Sequence, residues 1–282
     1  MPLQTTVIGK LRTTRTCQQA VTGDGGTVPE CTSGIPQQIY SVWLQGLEKA
    51  PDLVRLNLDR WKALNPGWRL EVLTQDDVET LLRDAGFPME RLSQQAISDI
   101  VRIRLLMDRG GIWADASVLP IKPLCTWLPD AVTASRFFAF HRPGPDRLIS
   151  SWFLASSPDN PLVRIWWEEI TRFWSKPRRL MPGIPASPIE SVSPGASAKS
   201  DQYPYFWLHY LFAYVVETHS TAKTLWNSCR YYSADFPHRL QLLFQANPHP
   251  TRAEIEDAAA AAPVQKLNWR ASYPLPELMS IR

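Results

Sequence analysis

Residues 98–118, SDIVRIRLLMDRGGIWADASV, decide the fold of this chain, because they run from a helix directly into a strand. The apolar residues that recur at helical spacing, and so predict a helix over 93–107, are Ile97, Ile100, Val101 and Leu105. Gly110 and Gly111 are expected to end that helix. The apolar run 112–119, which stops at Pro120, predicts a buried strand.

The same alternation of strand and helix is found N-terminal to this stretch. Short apolar runs at 39–44 and 68–73 predict strands, and apolar residues at helical spacing predict a helix over 53–64. Thr74 is followed three positions later by Asp77, the spacing of a capping box, which predicts a helix that continues through Leu82. Alternating strands and helices predict an α/β fold with a mostly parallel central sheet flanked by helices.

The C-terminal half continues this pattern around one irregular segment. The sequence predicts a strand at 149–155 and helices at 160–174 and 205–218. Residues 176–200 are rich in Pro, Ser and Gly, which predicts a long loop that is a lid, a binding loop or a disordered segment. Residues 1–34 are polar and show no period, so we expect a flexible N-terminal arm, followed by a single domain at 35–282.

Composition and charge exclude several classes of function. The 282 residues include 30 Lys and Arg against 27 Asp and Glu, a net charge of +3, so a nucleic-acid partner is not expected. Four scattered cysteines indicate neither a disulfide framework nor a zinc site. The 12 Trp and 25 Pro are unusually many, and they fit either a carbohydrate enzyme, whose indoles stack on sugar rings, or a Trp-rich core.

Targeting signals and membrane spans are not visible in the sequence. The N-terminus lacks the apolar segment of a signal peptide, and no apolar run reaches the length of about 18 residues that suggests a membrane span. We therefore expect a soluble, cytoplasmic protein, with peripheral association at the inner face of the plasma membrane left open.

Polar residues in residues 98–118 are the first candidates for chemistry. Asp99 and Arg102 lie three positions apart, so they share one edge of a helix that is otherwise apolar. Trp113, Asp115 and Ser117 are expected on one face of the strand that follows. Ligands of open α/β sheets bind at the carboxyl ends of strands, where Asp115 could bind ribose hydroxyls or a divalent cation. An ion pair on a helix surface and a solvated strand end are the alternatives.

Several blocks of the sequence resemble one family of enzymes. These blocks are Ile35-Pro with Ile39 and Trp43, LNPGW at 64–68, SDIVR at 98–102, GGIWADAS at 110–117, SSWF at 150–153, YFWLHYLF at 205–212 and PVQKLNW at 263–269. In that order they resemble the DXD-region sugar-transferring glycosyltransferases. This group includes capsular polysaccharide synthesis proteins, yeast-type initiating mannosyltransferases and the clostridial glucosylating toxins. The capsular polysaccharide synthesis branch is the most similar in pattern.

The resemblance implies a GT-A fold and a donor site for a nucleotide-diphosphate sugar. It implies that Asp99 and Arg102 hold the donor sugar and that Asp115 corresponds to the first Asp of the DXD motif, so these three are the expected catalytic residues. Ser117 stands where the second Asp of the DXD motif, usually the metal ligand, is expected, and this departure matches the capsular polysaccharide synthesis branch. A divalent cation, Mn²⁺ or Mg²⁺, is implied as the cofactor, with Asp115 and Ser117 as its ligands, although a hydroxyl is a poor ligand for either ion.

Further donor-site residues follow from the same blocks. Trp43 is expected beside the nucleotide base, with a core position as the equal alternative. Trp113 and Ser117 complete the strand face, and His209 lies in a helix block typical of the family, although a lone His among apolar residues is more often a core residue. Lys266 is expected either to neutralise the leaving diphosphate or to be a surface lysine.

The function implied is transfer of a sugar from a UDP-sugar to a glycan or a lipid-linked oligosaccharide. Retention of anomeric configuration and a role in capsular or other surface polysaccharide biosynthesis are implied by the resemblance as well. A non-catalytic sugar-nucleotide-binding protein is one alternative. The other is a glycoside hydrolase that uses Asp99 and Asp115 as acid and base. The hydrolase is disfavoured because the neighbouring Arg102 is expected to keep the pKa of Asp99 low.

Overall fold

The computed structural model describes residues 19–21, 27–29, 34–87 and 92–281. Within them the strands are β1 (Gln19–Val21), β2 (Thr27–Pro29), β3 (Gln38–Val42), β4 (Arg69–Leu73), β5 (Gly111–Ala114), β6 (Val118–Pro120), β7 (Phe137–Gly144), β8 (Arg147–Ser156), β9 (Arg179–Leu180), β10 (Gln202–Tyr203) and β11 (Val264–Lys266). The helices are α1 (Asp52–Leu64), α2 (Gln75–Asp84), α3 (Gln94–Arg109), α4 (Leu128–Val132), α5 (Pro161–Phe173), α6 (Pro188–Val192), α7 (Pro194–Lys199), α8 (Trp207–Thr218), α9 (Ser220–Asn227), α10 (Arg239–Ala246), α11 (Arg252–Ala260) and α12 (Leu275–Met279).

The central sheet has five strands in the order β4-β3-β5-β8-β7. β3 pairs in parallel with both β4 and β5, whereas β8 pairs antiparallel with β5 and with β7. Four of the five strands therefore run in one direction and only β8 runs in the other. This confirms the predicted α/β class with a mostly parallel sheet flanked by helices.

Side chains alternate between two cores on the two faces of the sheet. Trp113 and Leu154 face the larger core, which includes apolar residues of α2, α3, α5 and α8. Ile112 and Phe153, their neighbours along the chain, face the second core, which includes α4 and Trp61 of α1. Strands buried on both faces have nearly continuous apolar sequences, and this explains why short apolar runs identified them.

Local signals placed several elements correctly. Thr74 and Asp77 form the predicted capping box at the start of α2, and α3 begins after Ser93, whose hydroxyl accepts from the N–H of Ala96. Both glycines after α3 have positive φ angles, 63° at Gly110 and 101° at Gly111. The chain can therefore turn from α3 directly into β5, as predicted.

The predicted continuous strand over 112–119 is wrong. β5 ends at Ala114, and β6 begins only at Val118, so that Asp115 and Ser117 lie in a turn. The carbonyl of Asp115 accepts from the N–H of Val118 at 2.8 Å and closes this turn. Asp is favourable at the first position of a turn, because its side chain can accept a hydrogen bond from a backbone N–H group of the same turn. Because apolar residues lie on both sides of Asp115, the sequence favoured one continuous strand over a turn.

The predicted long loop over 176–200 contains regular structure. It includes β9, which pairs in parallel with β10, and the short helices α6 and α7. Both helices begin with a proline, Pro188 and Pro194, each of which follows a serine. Proline is favourable at the first helical position because no N–H is needed there. Two of the prolines that suggested a loop therefore start helices.

The predicted arm over 1–34 lies largely outside the described residues. Within it, β1 and β2 form a short antiparallel pair. Among the described residues, no helix combines the length and the apolar character that crossing a membrane would require.

The C-terminal region returns to the middle of the chain. β11 pairs antiparallel with β6, and Lys266 lies opposite Val118 in that register. Gln265 is fully buried, and α10, α11 and α12 form a separate small core with Leu53 and Leu119. This arrangement brings a residue near the end of the chain beside the turn that contains Asp115.

Candidate active site

Two predicted site residues lie at the carboxyl ends of neighbouring parallel strands. Trp43 directly follows β3, and Asp115 directly follows β5. Ligands of open α/β sheets bind outside these strand ends. The topology of the sheet therefore brings Trp43 and Asp115 to the edge where a ligand would be expected.

The Asp115 side chain is held in place by its neighbours on two strands. Its backbone N–H donates to the carbonyl of Trp152 in β8 at 2.9 Å. The indole N–H of Trp113, which is itself fully buried, donates to Oδ1 of Asp115 at 2.9 Å. The carboxylate is thus fixed in orientation, and its side chain remains 27% exposed.

Arg102 is buried next to this carboxylate and is surrounded by acceptors. Nη1 donates to the carbonyl and the hydroxyl of Ser151, at 2.7 and 2.8 Å, and Nε and Nη2 donate to the carbonyl and the hydroxyl of Ser98, at 3.1 and 3.0 Å. Nη2 also lies 3.1 Å from Oδ1 of Asp99 and 3.7 Å from Oδ1 of Asp115. Arg102 therefore links α3, β5 and β8, and most of its N–H groups already have partners.

Asp99 is more deeply buried than the sequence suggests. Its side chain is 3% exposed, and Oδ2 accepts from Nε2 of Gln95 at 3.2 Å. Burial, together with the negative charge of Asp115, raises the pKa of Asp99 to about 7. The loss of water destabilises the carboxylate more than the nearby Arg102 guanidinium stabilises it. The predicted low pKa of Asp99 is wrong.

Asp115 has the opposite electrostatic environment. Burial alone would raise its pKa, but the Lys266 ammonium and the Arg102 guanidinium outweigh burial and hold the pKa of Asp115 below its ordinary value. Asp115 is therefore ionised at neutral pH, whereas Asp99 takes up a proton near pH 7. Neighbouring carboxylates with pKa values pushed apart are typical of functional sites.

Lys266 contacts both side chains of the turn between β5 and β6. Its Nζ donates to Oδ2 of Asp115 at 3.2 Å and to the hydroxyl of Ser117. The Lys266 side chain is 20% exposed, and Ser117 is buried. We call Asp99, Arg102, Asp115, Ser117 and Lys266 the site cluster. Asp115 and Lys266 are its solvent-accessible members, so they are the ones that a ligand reaches first.

His209 lies close to the site cluster on α8. Burial, together with the positive charges of Arg102 and Arg147, lowers the pKa of His209 to about 3, so the imidazole is neutral. Its Nδ1 is buried and forms no hydrogen bond with any described residue. His209 is thus an uncharged polar group whose ring nitrogen is unused within the described structure.

Sequence reasoning missed a second polar group near His209. The hydroxyl of Tyr210 donates to Oδ2 of Asp146 at 2.7 Å, and Nε of Arg147 donates to Oδ1 of Asp146 at 3.1 Å. The Arg147 guanidinium lies 3.8 Å from the ring centroid of Phe206. The run PGPD at 143–146 is a turn signal between two apolar runs and would have predicted this hairpin of β7 and β8.

Trp43 contacts the C-terminal region. Its ring packs edge to face against Trp269, with centroids 5.3 Å apart, and the Arg270 guanidinium lies 4.1 Å from the Trp269 ring centroid. The two indoles pack with a small cluster that includes Ala116. Trp43 is therefore part of a half-buried aromatic pair beside the turn, and its contact with a nucleotide base stays a prediction.

The residues present do not fit the divalent cation that the resemblance implies. Asp115 supplies one carboxylate and Ser117 a hydroxyl, and the Lys266 ammonium already contacts both. Among the described residues there is no group of three or more His, Cys, Asp and Glu side chains that could hold a metal ion. Mn²⁺ and Mg²⁺ prefer several oxygen ligands, with carboxylates to balance their charge.

One cavity of the structure is lined by no member of the site cluster. It measures about 530 Å³, and its lining includes Ser93, Arg178, Arg179 and Tyr203. No predicted site residue lines it. The site cluster is instead a packed polar group with its accessible side at Asp115 and Lys266.

Three curated relatives are similar to parts of this chain. HOC1 of Saccharomyces cerevisiae, whose name describes a candidate glycosyltransferase, is 24% identical over 108 residues, which are 36% of this chain and 27% of HOC1. The O-glycosyltransferase braB of Annulohypoxylon truncatum is 24% identical over 160 residues, 49% of this chain and 38% of braB. The glycosyltransferase afumC of Aspergillus fumigatus is 24% identical over 163 residues, 51% of this chain and 42% of afumC. The chain thus matches less than half the length of each relative.

Two solved structures also align with this chain. The PaToxG glycosyltransferase covers 80% of this chain and 85% of its own, with 14% sequence identity and a TM-score of 0.39. A ligand-free glycosyltransferase domain from the YGT toxin covers 81% of this chain and 90% of its own, with 9% identity and a TM-score of 0.37.

One family matches the region that contains most of the site cluster. The sequence profile of the family described as capsular polysaccharide synthesis protein matches residues 29–182, which include Asp99, Arg102, Asp115 and Ser117. Because this match covers more than half of the chain, the chain belongs to the capsular polysaccharide synthesis protein family.

Proposed function

We propose that this chain is a glycosyltransferase that moves a sugar from a nucleotide-diphosphate donor, a UDP-sugar, to a hydroxyl of a glycan. Membership of the capsular polysaccharide synthesis protein family and the glycosyltransferase names of its relatives support this activity. The observation that carries the proposal is the Asp115 carboxylate at the end of β5, which lies between the guanidinium of Arg102 and the ammonium of Lys266.

The chemistry of the site cluster suits such a donor. A carboxylate accepts hydrogen bonds from sugar or ribose hydroxyls, and an ammonium binds phosphate oxygens. Asp115 and Lys266 are both accessible and adjacent, so one ligand with a hydroxyl and a phosphate can contact both. Arg102 and Asp99 are buried, and in this proposal they set the position and charge of Asp115.

Transfer needs positioning and charge stabilisation in this site. The bond between the anomeric carbon and the diphosphate oxygen breaks, and its electron pair leaves with the diphosphate. The acceptor oxygen forms the new bond on the same face, and its proton passes to the departing diphosphate oxygen. Attack on the same face retains the anomeric configuration. The site residues contribute by holding the reactants and by stabilising negative charge on the leaving group.

The finer parts of the proposal follow from the family. We propose a GT-A fold and, as the acceptor, a glycan or a lipid-linked oligosaccharide. We also propose a role in capsular or other surface polysaccharide biosynthesis. A cytoplasmic location with peripheral association at the plasma membrane would suit such an acceptor.

The test is donor binding and turnover by the purified chain. UDP-glucose, UDP-galactose, UDP-N-acetylglucosamine and GDP-mannose are screened for thermal stabilisation and for consumption in the presence of a glycan acceptor. A true donor at a hundredfold excess over its Kd should stabilise the fold by about 2.7 kcal/mol. A chain that neither binds nor consumes any nucleotide sugar would contradict the proposal, and binding without turnover would support the non-catalytic alternative.

Asp115→Asn tests the assignment of the site. The substitution removes the negative charge between the two cations, and we expect transfer to fall by about 100-fold or more. Asp108→Asn is the matched control, since the Asp108 side chain is 31% exposed and pairs with Arg104 outside the site cluster. The control should retain near-normal turnover. Near-normal turnover of Asp115→Asn as well would contradict the assignment.

A glycoside hydrolase is the second candidate, because one observation favours it. The pKa of Asp99 near 7 is suitable for a general acid, and Asp115 is ionised as a base would be. Against it, Asp99 is nearly inaccessible to a substrate. Hydrolysis of glycans without any nucleotide would identify the hydrolase, whereas strict dependence on a nucleotide sugar identifies the transferase.

A further inference from the structure

We propose that the ammonium of Lys266 takes the place of the divalent cation in this chain, so that the site binds the diphosphate of its donor without a metal ion. The inference rests on the proposed function. It departs from the resemblance, which implies a divalent cation held by Asp115 and Ser117.

The first argument is the position of the ammonium. Lys266 Nζ donates both to Oδ2 of Asp115 and to the hydroxyl of Ser117, the two side chains that would be the metal ligands. A divalent cation would need the same oxygen atoms. It would have to displace the ammonium or lie directly against it, and two positive charges at that distance repel. The metal position is therefore occupied by a charge that belongs to the protein.

The second argument is the composition of the cluster. Where the DXD motif of the wider glycosyltransferase group has a second Asp, this chain has Ser117, which removes one negative charge. An ammonium carries one positive charge less than Mn²⁺ or Mg²⁺, so the change at the anionic residue matches the change at the cation. Arg102 also lies on the other oxygen of Asp115, at 3.7 Å. The Asp115 carboxylate thus already lies beside two cations, one of which it shares with Asp99.

The third argument is that the backbone fixes Lys266. It is the last residue of β11, and that strand pairs with β6 immediately after the turn of Asp115. The N–H of Leu267 donates to the carbonyl of Ser117 at 3.0 Å, which fastens the chain on the far side of Lys266. A surface lysine pays a large entropic cost to hold one position, whereas this one is placed by strand pairing and two hydrogen bonds.

The ammonium also keeps capacity for a ligand. It has three N–H donors, and within the described structure two of them are used, by Asp115 and Ser117. The side chain is 20% exposed, so the third N–H can reach a phosphate oxygen. When the anomeric C–O bond breaks and its electron pair moves to the diphosphate, Lys266 stabilises that charge and keeps its own proton.

The experiment measures two kinds of binding by the purified full chain. Titration calorimetry follows UDP in EDTA and again with Mn²⁺, and electron paramagnetic resonance follows Mn²⁺ binding without nucleotide. Lys266→Met removes the charge and keeps the length of the side chain, and Lys266→Arg restores the charge. Lys223→Met is the matched control, because Lys223 is exposed on α9 and is not a member of the site cluster. Circular dichroism confirms that each variant is folded.

We expect UDP to bind in EDTA with an affinity within about threefold of that in Mn²⁺, and no stoichiometric Mn²⁺ binding in the absence of nucleotide. Lys266→Met should weaken UDP binding in EDTA by about tenfold or more, Lys266→Arg should recover most of it, and Lys223→Met should bind like the unmodified chain.

Two results would overturn the inference. One is UDP binding that requires Mn²⁺, and the other is a folded Lys266→Met variant that binds UDP in EDTA as well as the unmodified chain does. Both leave the proposed function standing, since UDP still binds. Absence of binding for UDP and for GDP, with and without Mn²⁺, contradicts the proposed function and this inference together.

Discussion

Asp99 has an arginine 3.1 Å from its carboxylate, and its pKa is nevertheless raised to about 7. An exposed pair of this spacing on a helix would lower the pKa of the acid. Here the carboxylate is almost wholly removed from water, and Arg102 divides its charge between two carboxylates and several neutral acceptors. The sequence could show the pair, but it could not show its burial.

This raised pKa predicts how the stability of the fold depends on pH. The folded pKa of Asp99 lies above the ordinary value of 3.8, so the folded state binds the proton more tightly. The stabilising contribution is therefore fully present below about pH 4 and is lost as the pH rises to about 7. Asp99→Asn lacks this titration. We expect the difference in unfolding free energy, unmodified chain minus Asp99→Asn, to fall by about 2 kcal/mol between pH 5 and pH 7.5.

Urea denaturation at the two pH values measures this difference. Asp77→Asn is the control, because hydrogen bonds from Thr74 hold the pKa of Asp77 below its ordinary value, so Asp77 stays ionised throughout this range. The difference in unfolding free energy between the unmodified chain and Asp77→Asn should be the same at both pH values. A constant difference for Asp99→Asn would show that Asp99 is ionised in the folded state and would remove the electrostatic contrast with Asp115.

The junction of α3 and β5 is the element on which the site depends. Gly110 and Gly111 have positive φ angles, and a Cβ added to Gly111 would lie 2.7 Å from the carbonyl oxygen of Gln38 in β3. The close approach of β5 to β3 therefore requires glycine at this position. Because Asp115 follows β5 by one residue, this approach also sets the position of the carboxylate.

We predict that Gly111→Ala destabilises the fold by about 3 kcal/mol or more, since left-handed strain and a backbone clash add. Gly86→Ala is a matched control: Gly86 also has a positive φ, 77°, but a Cβ there would meet no atom of the described residues within 4 Å. Gly86→Ala should lower the unfolding free energy by about 1 kcal/mol, because only the left-handed strain acts there. Equal losses for the two variants in chemical denaturation would show that the close approach contributes nothing.

At the scale of the whole molecule, the C-terminal region completes the site. Gln265, next to Lys266, is fully buried, and its side chain joins β11 to surrounding backbone groups. Oε1 accepts from the N–H of Leu240, and Nε2 donates to the carbonyls of Phe236, Ala258 and Ala259. One amide thus connects β11 to α10 and α11 and keeps Lys266 beside Asp115.

We predict that Gln265→Leu destabilises the fold by about 3 kcal/mol, because buried backbone groups lose their partners while the volume is kept. Since β11 carries Lys266, UDP binding should weaken in the same variant. Gln245→Leu, an exposed position on α10, should change stability by about 0.5 kcal/mol or less. A stable Gln265→Leu variant with unchanged UDP affinity would contradict this account of how β11 is held.

Local signals in the sequence determined the class of fold, four of the five strands of the central sheet and the five described helices that have ten or more residues. The capping box of α2, the helical spacing in α3 and the two glycines before β5 act through neighbouring residues, so they can be recognised in a short window of sequence. The resemblance in the same windows pointed to Asp99, Arg102 and Asp115, which the structure brings together around one guanidinium.

Only the tertiary structure decided the state of the site. The turn at Asp115, the burial of Asp99 and the contact of Lys266 with Asp115 and Ser117 depend on chain segments as far apart as positions 115 and 266. Burial and electrostatic attraction depend on distance in space, and a sequence window does not contain that distance. The sequence by itself determined which residues are present for the chemistry, and the packing of β11 against β6 decided which charges they meet.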